Sequence, residues 1–205
     1  MEFAVRLELI VTYDLGGSGK ISGMAFHDGF KTFPELHIQR LRLRQLVPED
    51  AETYHQHLAT VSPSLWGLRY DTVDKTRISL AVSQKGFQNK AAIRWAITRK
   101  EQDDLIGEIK LFDFVRGSKT EMAYWLTENQ RQQGFGFEAG ECVLKFAFEI
   151  LGLHRVEAYV QPVNEASLAL LGKLGFAKEG VLRQFRKEGE RWHDFVVLGL
   201  LRGEY

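Results

Sequence analysis

Between Thr120 and Val160 the spacing of apolar residues changes twice, and no other feature limits the folds open to this chain as strongly. Thr120 to Thr127, "TEMAYWLT", reads as a strand. Val143, Leu144, Ala147, Phe148, Ile150 and Leu151 then recur at helical spacing, and Val156, Ala158 and Val160 return to a period of two. A strand, a helix and a second strand in this order form a crossover unit, right-handed if the two strands are parallel. At the first junction stands "RQQGFGFEA", Arg131 to Ala139, with two glycines one residue apart. Glycine disfavours both helix and strand, so a pair at a junction means close approach of a ligand, an unusual turn, or an ordinary loop.

The flanking elements are shorter. Ile38, Leu41 and Leu43 mark a strand, and "PEDAETYHQHLAT" a helix with Pro48 ahead of an acidic first turn. A second helix is expected within 72–85. "AAIRWAITRK" and "LIGEIKLFDFV" read as a hairpin across the polar turn "EQDD". "NEASLALLGKLGF" is a short helix with Asn164 as N-cap and Gly175 at its C-terminal end, and "VLRQFRKEGERWHDFVVLGL" closes the chain as two strands around a Glu-Gly turn. Residues 1–36 read differently. Phe3, Val5, Leu7, Leu9, Val11 and Tyr13 alternate as in a strand, "DLGGSGK" breaks the pattern, and "ISGMAF" returns as a second strand. They are taken as an N-terminal extension, a hairpin packed on the sheet edge or shared with another subunit in a homodimer, ahead of a main domain over 37–205.

Composition excludes several classes of function. Lys+Arg and Asp+Glu are both 27, which argues against a general nucleic-acid or membrane-surface binder. No apolar run reaches the length of a membrane span, and the N-terminus lacks signal-peptide features, so the expected setting is cytoplasmic. The single cysteine, Cys142, sits mid-helix as a structural thiol, and the six histidines show no metal-site spacing, so no metal is expected.

Gly134 and Gly136 let a loop curl so that backbone N–H groups converge on a helix N-terminus, a place that attracts an anion, phosphate above all. A bare strand-to-helix turn is the plain alternative. The spacing fits neither a Walker loop nor a dinucleotide fingerprint, because "GFGFEAG" puts its third glycine one residue too far on.

The stretch does match Gln/Arg-x-x-Gly-x-Gly/Ala through Arg131, Gly134 and Gly136, and here the chain resembles the GNAT acetyltransferase superfamily. "YWLTENQRQQGFGFEA" is similar to that family's strand, acyl-CoA pyrophosphate loop and helix start. "LGLHRVEAYVQPVNEASLALLGKLGF" is similar to the strand–helix unit after it, with Asn164, Ser167, Lys173, Gly175 and Phe176 on its motif positions. "EGVLRQF" and "RWHDFVVLGLL" resemble its closing hairpin, and "QRLRLRQLVPEDAE" its first strand and helix. The resemblance covers about residues 37 to 205 and is strongest to the branch containing ribosomal-protein-alanine N-acetyltransferases. It implies an α/β (α+β) three-layer fold, a mixed, mostly antiparallel sheet of about six or seven strands flanked by about four helices. Two positions depart from the pattern. Gln132 stands where members often carry glycine, and Leu171 where many carry a tyrosine general acid.

The resemblance implies direct acetyl transfer from acetyl-CoA, as cosubstrate, to a primary amine. Arg131, Gln132, Gln133, Gly134, Phe135, Gly136 and Phe137 would cradle the pyrophosphate, backbone N–H groups of Trp125, Leu126 and Thr127 would meet the acetyl carbonyl and pantetheine, and Asn164 and Lys173 would contact the cofactor. Ser167 is the candidate acid for the leaving thiolate. The base is open among Glu108, Glu121, Glu128, His193 and Asp194, or a water chain. Trp95, Phe112, Tyr124, Trp125 and Trp192 read as core aromatics, some of which could wall the acceptor pocket. The leading expectation is an N-acetyltransferase acting on a protein N-terminus, such as that of a ribosomal protein. The alternatives are acetylation of a small-molecule amine and a non-catalytic acyl-CoA-binding module.

Overall fold

The computed structural model describes residues 26–61, 72–188 and 190–205. The strand expected over Phe3–Tyr13 lies outside the described residues, as does most of the one expected over Ile21–Phe26. Eight strands form one sheet: β1 (Leu36–His37), β2 (Leu41–Gln45), β3 (Ala92–Arg99), β4 (Leu105–Val115), β5 (Lys119–Leu126), β6 (Arg155–Val160), β7 (Ala177–Glu188) and β8 (Arg191–Leu201). Their order is β1-β2-β3-β4-β5-β6-β8-β7. Every neighbouring pair is antiparallel except β5 and β6. The strand beyond the expected six or seven is the two-residue β1, too short to leave a periodic signal.

The four helices are α1 (Ala51–Thr60), α2 (Val73–Gln88), α3 (Phe135–Lys145) and α4 (Glu165–Lys173). Their ends differ in detail from the sequence pattern. Pro48–Asp50 forms a separate 3-10 turn ahead of α1, and α2 runs on to Gln88 beyond the stretch expected to be helical. The third helix begins at Phe135, and Phe146–Ile150 continues it as a π-helix. Phe146, Ala147, Phe148 and Ile150 of that π-helical turn are all buried.

Alternation assigns the strands' two faces. Met122 and Leu126 of β5, Val156, Ala158 and Val160 of β6, and Val196 and Leu198 of β8 share one large core with Val143 and Leu144 of α3. Odd-numbered Trp125 points the opposite way, into a smaller core with Tyr54 of α1, Leu80 of α2 and Ala96 of β3. The described part of the N-terminal stretch packs into the large core: Phe26 and Phe30 are buried against Phe87 and Phe114, and Trp95 Nε1 donates to Pro34 O at 2.6 Å. No helix among the described residues is long and apolar enough to cross a membrane.

Candidate active site

The parallel pair is the weak seam of the sheet. β5 and β6 pair only where Lys119–Glu121 lies beside Arg155–Glu157. Beyond that, β5 stays with β4 as far as Leu126 opposite Gly107, and β6 stays with β8 as far as Val160 opposite Val196. Each strand follows its antiparallel neighbour, and beyond Glu121 and Glu157 the two are no longer paired. A cavity of about 600 Å³ fills the gap, within the range of a cofactor-sized site. Tyr124, Leu170 and Leu171 line it from the α4 side, and Ala123, Tyr159 and Phe195 from the other. The cavity therefore passes through the sheet and joins its two faces.

At the end of β5 the two glycines of the loop prove to have different reasons. Gly134 is the N-cap of α3 with φ of 84°, a left-handed conformation that side chains resist. Gly136 is helical, and a Cβ there would lie 2.9 Å from Leu170 Cδ2 of α4, so a larger residue would make that side chain shift. The first intrahelical bond runs from Glu138 N to Gly134 O at 3.0 Å, and no side chain caps this end. The N–H groups of Phe135, Gly136 and Phe137 thus precede any intrahelical acceptor and point out of the helix start. The site fits an anionic group such as a pyrophosphate.

Arg131, Gln132, Gly134, Gly136 and Phe137 all reach the cavity. Gln133 and Phe135 do not. Phe135 is buried, and Gln133 braces the loop, its Nε2 donating to Asn129 O at 2.8 Å. Arg131 turns back on the strand, Nε donating to Leu126 O at 3.1 Å. The expected trio of strand-end donors narrows to one. Thr127 N donates to Ile106 O at 2.9 Å, and strand alternation sends the Trp125 N–H to the same side. Leu126 is left with its N–H toward the gap. The side chains of Trp125 and Leu126 line the cavity, whereas Thr127 does not.

On the α4 side, Asn164 Oδ1 accepts from Ser167 N at 3.2 Å, so Asn164 caps the helix and also lines the cavity. Ser167 and Lys173 face the same space, and buried Leu171 stands one turn beyond Ser167. Sequence patterning grouped Tyr124 with the core aromatics, but it lines the cavity. Its hydroxyl donates to Ser167 O at 3.5 Å, and burial pushes the phenol up to about 12, so it stays a neutral donor. Its even register, shared with Leu126, was the available signal. Trp192, also grouped with the core, is 56% exposed, because it lies at the start of β8, ahead of the buried stretch that begins at Phe195.

The two leading base candidates sit in different surroundings, and neither lines the cavity. Glu108 is fully buried. It accepts from Arg94 Nε at 2.6 Å, from Trp125 Nε1 at 3.2 Å and from the Tyr54 hydroxyl. Burial alone would raise its pKa, but the Arg94 charge and these bonds outweigh it and hold the carboxyl below its ordinary value. Glu121 shows the opposite balance: burial raises its pKa, and Arg186, with Nη2 at 3.3 Å, offsets that only in part. Arg186 lies over the rings of Phe195, Phe185 and Tyr159, and Phe195 and Tyr159 are cavity walls. Glu121 is therefore one layer behind the cavity wall formed by Tyr159 and Phe195. Glu128 is exposed, and Asp194 is engaged by Gln184 N at 2.7 Å. The Cys142 thiol is buried and pushed up to about 12 by that burial, which leaves it unreactive. Among the described residues no His, Cys, Asp and Glu cluster could hold a metal ion.

Known proteins resemble this chain over most of its length. Residues 40–177 match the family model described as an acetyltransferase (GNAT) domain. The uncharacterized N-acetyltransferase YoaA of Bacillus subtilis is 32% identical over 83% of this chain and 98% of its own. The ribosomal protein uS5-alanine N-acetyltransferase of Escherichia coli is 27% identical over 54% of this chain and 58% of its own. Mycobacterium smegmatis RimJ, solved with CoA-disulfide, superposes with a TM-score of 0.72 at 20% identity over 80% of this chain and 83% of that one, a likeness of fold.

Proposed function

The chain belongs to the GNAT acetyltransferase family, and from that premise we propose that it transfers the acetyl group of acetyl-CoA to the N-terminal α-amine of a protein. The observation that carries the reading is the passage through the sheet. A cosubstrate held at the glycine loop on the α3 and α4 side would present its thioester between β5 and β6, and an acceptor could meet it from the opposite face. Acetyl-CoA supplies an activated acyl carbon and a thiolate leaving group.

The chain's own residues supply the rest. The N–H groups of Gly136 and Phe137 would hold the pyrophosphate, with Arg131, Gln132 and Lys173 beside it. The Leu126 N–H faces the gap where the acetyl oxygen would gain charge. Ser167, with Tyr124 behind it, offers a hydroxyl proton to the departing sulfur. Glu121, with its raised pKa and its place behind the acceptor-side wall, takes through water the proton that the amine loses. Glu108, spent on three donors, is assigned to holding β4 against α1.

The acceptor side supports a chain rather than a small, enclosed amine. Val181, Leu182, Phe185 and Trp192 are exposed on the β7–β8 hairpin, and Phe185 stacks on the cavity wall Tyr159 at 5.4 Å. An extended N-terminus could lie along that apolar row with its first residue in the passage. The relative acting on ribosomal protein uS5 agrees with such an acceptor. The test is mass spectrometry of peptides carrying both a free N-terminus and an internal lysine, incubated with acetyl-CoA. The α-amine should be labelled in preference. Lysine labelling in its place would overturn the α-amine reading, and labelling of small amines alone would move the acceptor to that class.

A further inference from the structure

One side chain distant in sequence holds the glycine loop in shape. Arg40 lies in the turn between β1 and β2, and its own carbonyl accepts from Lys100 N at 3.0 Å, which ties it to the end of β3. From there it grips the loop at several points. Its backbone N donates to Glu138 Oε1 at 2.9 Å and its Nε to Glu138 Oε2 at 2.8 Å. Its Nη1 donates to Gln133 O at 3.1 Å, and its guanidinium carbon lies 4.5 Å from the centre of the Phe135 ring. Its Nη2 sits 3.2 Å from where a Cβ would stand on Gly134. Gln133, Gly134, Phe135 and Glu138 are thus fixed by one planar cation anchored on the rigid end of the sheet.

The charge arrangement gives that grip a purpose. Glu138 is a carboxylate in the first turn of α3, near the end where a pyrophosphate would bind. Left alone, it would favour the helix N-terminus itself and repel the ligand there. Arg40 takes both of its oxygens and draws its charge to the β2 side. Charge-assisted bonds to both carboxylate oxygens are among the stronger polar contacts a protein makes.

We propose that Arg40 is a positioning residue for the cosubstrate: it fixes the glycine loop with its N–H groups convergent and neutralises Glu138 beside the pyrophosphate site. The inference rests on the acetyl-CoA reading above and deepens it. The experiment titrates CoA into the full chain by calorimetry and follows turnover with acetyl-CoA and with acetyl-pantetheine, which lacks the pyrophosphate. Wild-type protein that fails to bind CoA would sink the functional reading itself, before any variant is compared. With wild-type binding in hand, Arg40→Ala should weaken CoA about tenfold or more. The loss should appear in the acetyl-CoA KM rather than in kcat, and kcat/KM for acetyl-pantetheine should fall much less. Adding Glu138→Gln to Arg40→Ala should restore part of the affinity, because the uncompensated charge is gone. A merely structural Arg40 would lower both thioesters alike, and that result overturns the proposal, as does a folded Arg40→Ala protein with CoA affinity within about twofold of wild type. If Arg40→Ala does not fold, Arg40→Lys keeps the charge but loses the fork. Weaker CoA binding by several-fold then supports the positioning role, and unchanged binding overturns it.

Discussion

Gln132 carries a side chain where the backbone asks for none. Its φ is 60°, in the left-handed region, one residue ahead of the loop's other turn residues. The sequence marked the position as a departure, since related loops often have glycine there, and suggested lost backbone freedom. The structure keeps the glycine-like conformation and bears the cost, on the order of 1 kcal/mol for a residue with a Cβ. Gln132→Gly should relieve that strain while adding freedom to the unfolded chain. Unfolding free energy from a denaturant titration should therefore stay level or rise by up to about 1 kcal/mol. A clear fall in stability would mean that the Gln132 side chain makes contacts worth more than its strain. The neighbouring glycines show the limit of reading such a loop from sequence. "GFG" announces that backbone is in use, but Gly134 answers to a dihedral angle and Gly136 to the Leu170 side chain of another helix. The second reason involves a contact 34 residues away, which no local pattern contains.

Elements, once formed, decide what a buried charge can do. Glu108 and Glu121 sit on adjacent strands, and alternation alone could not rank them as bases. Their partners separate them: Arg94 comes from β3 and Tyr54 from α1 to hold Glu108, whereas the ion pair of Glu121 is with the half-exposed Arg186 from the closing hairpin. Removing Arg94 leaves a fully buried carboxylate short of its cation, a change that typically costs about 3–5 kcal/mol. Arg94→Met should therefore destabilise the protein by roughly that amount at neutral pH. The pH dependence follows from the sign of the shift. The folded Glu108 pKa lies below its reference of 4.5, so its contribution is present above that value and is lost as pH falls through the folded pKa. Acid unfolding of the wild type should steepen below about pH 4.5, and Arg94→Met should flatten that limb, as read by circular dichroism across a pH series. An unchanged acid limb in the variant would remove Glu108 as its source.

At the scale of the whole molecule, the decisive feature is that one strand pair comes apart. The periods of β5 and β6 were legible, as were the strand–helix–strand order around α3, the Asn164 cap and the family pattern from Arg131 to Phe176. The divergence was not, because it depends on β4 and β8 each holding its partner. The two-residue β1 was too short to leave a period, and the clamp from Arg40 joins residues 93 and 98 positions apart. On the proposed reading, that divergence would let the cosubstrate and the acceptor meet from opposite faces, with Glu121 one layer behind the cavity wall. Two ionisations then govern turnover. The α-amine, with a reference pKa of roughly 8, must be neutral to attack, and Glu121 must be ionised to take its proton. Burial raises the Glu121 pKa, so its carboxylate is completed as pH climbs from the acid side, and the amine is freed next. We expect kcat/KM for a peptide acceptor to rise with pH through the neutral range and to level off near the amine pKa of about 8. Glu121→Gln removes the proton acceptor but not the amine's own ionisation. It should therefore cost most near pH 7, about tenfold or more, and least at about pH 9, where most of the amine is already neutral. The measurement is kcat/KM for one peptide across that range in both proteins, with folding checked at each pH. Two parallel profiles would take the role from Glu121 and leave it to water in the passage.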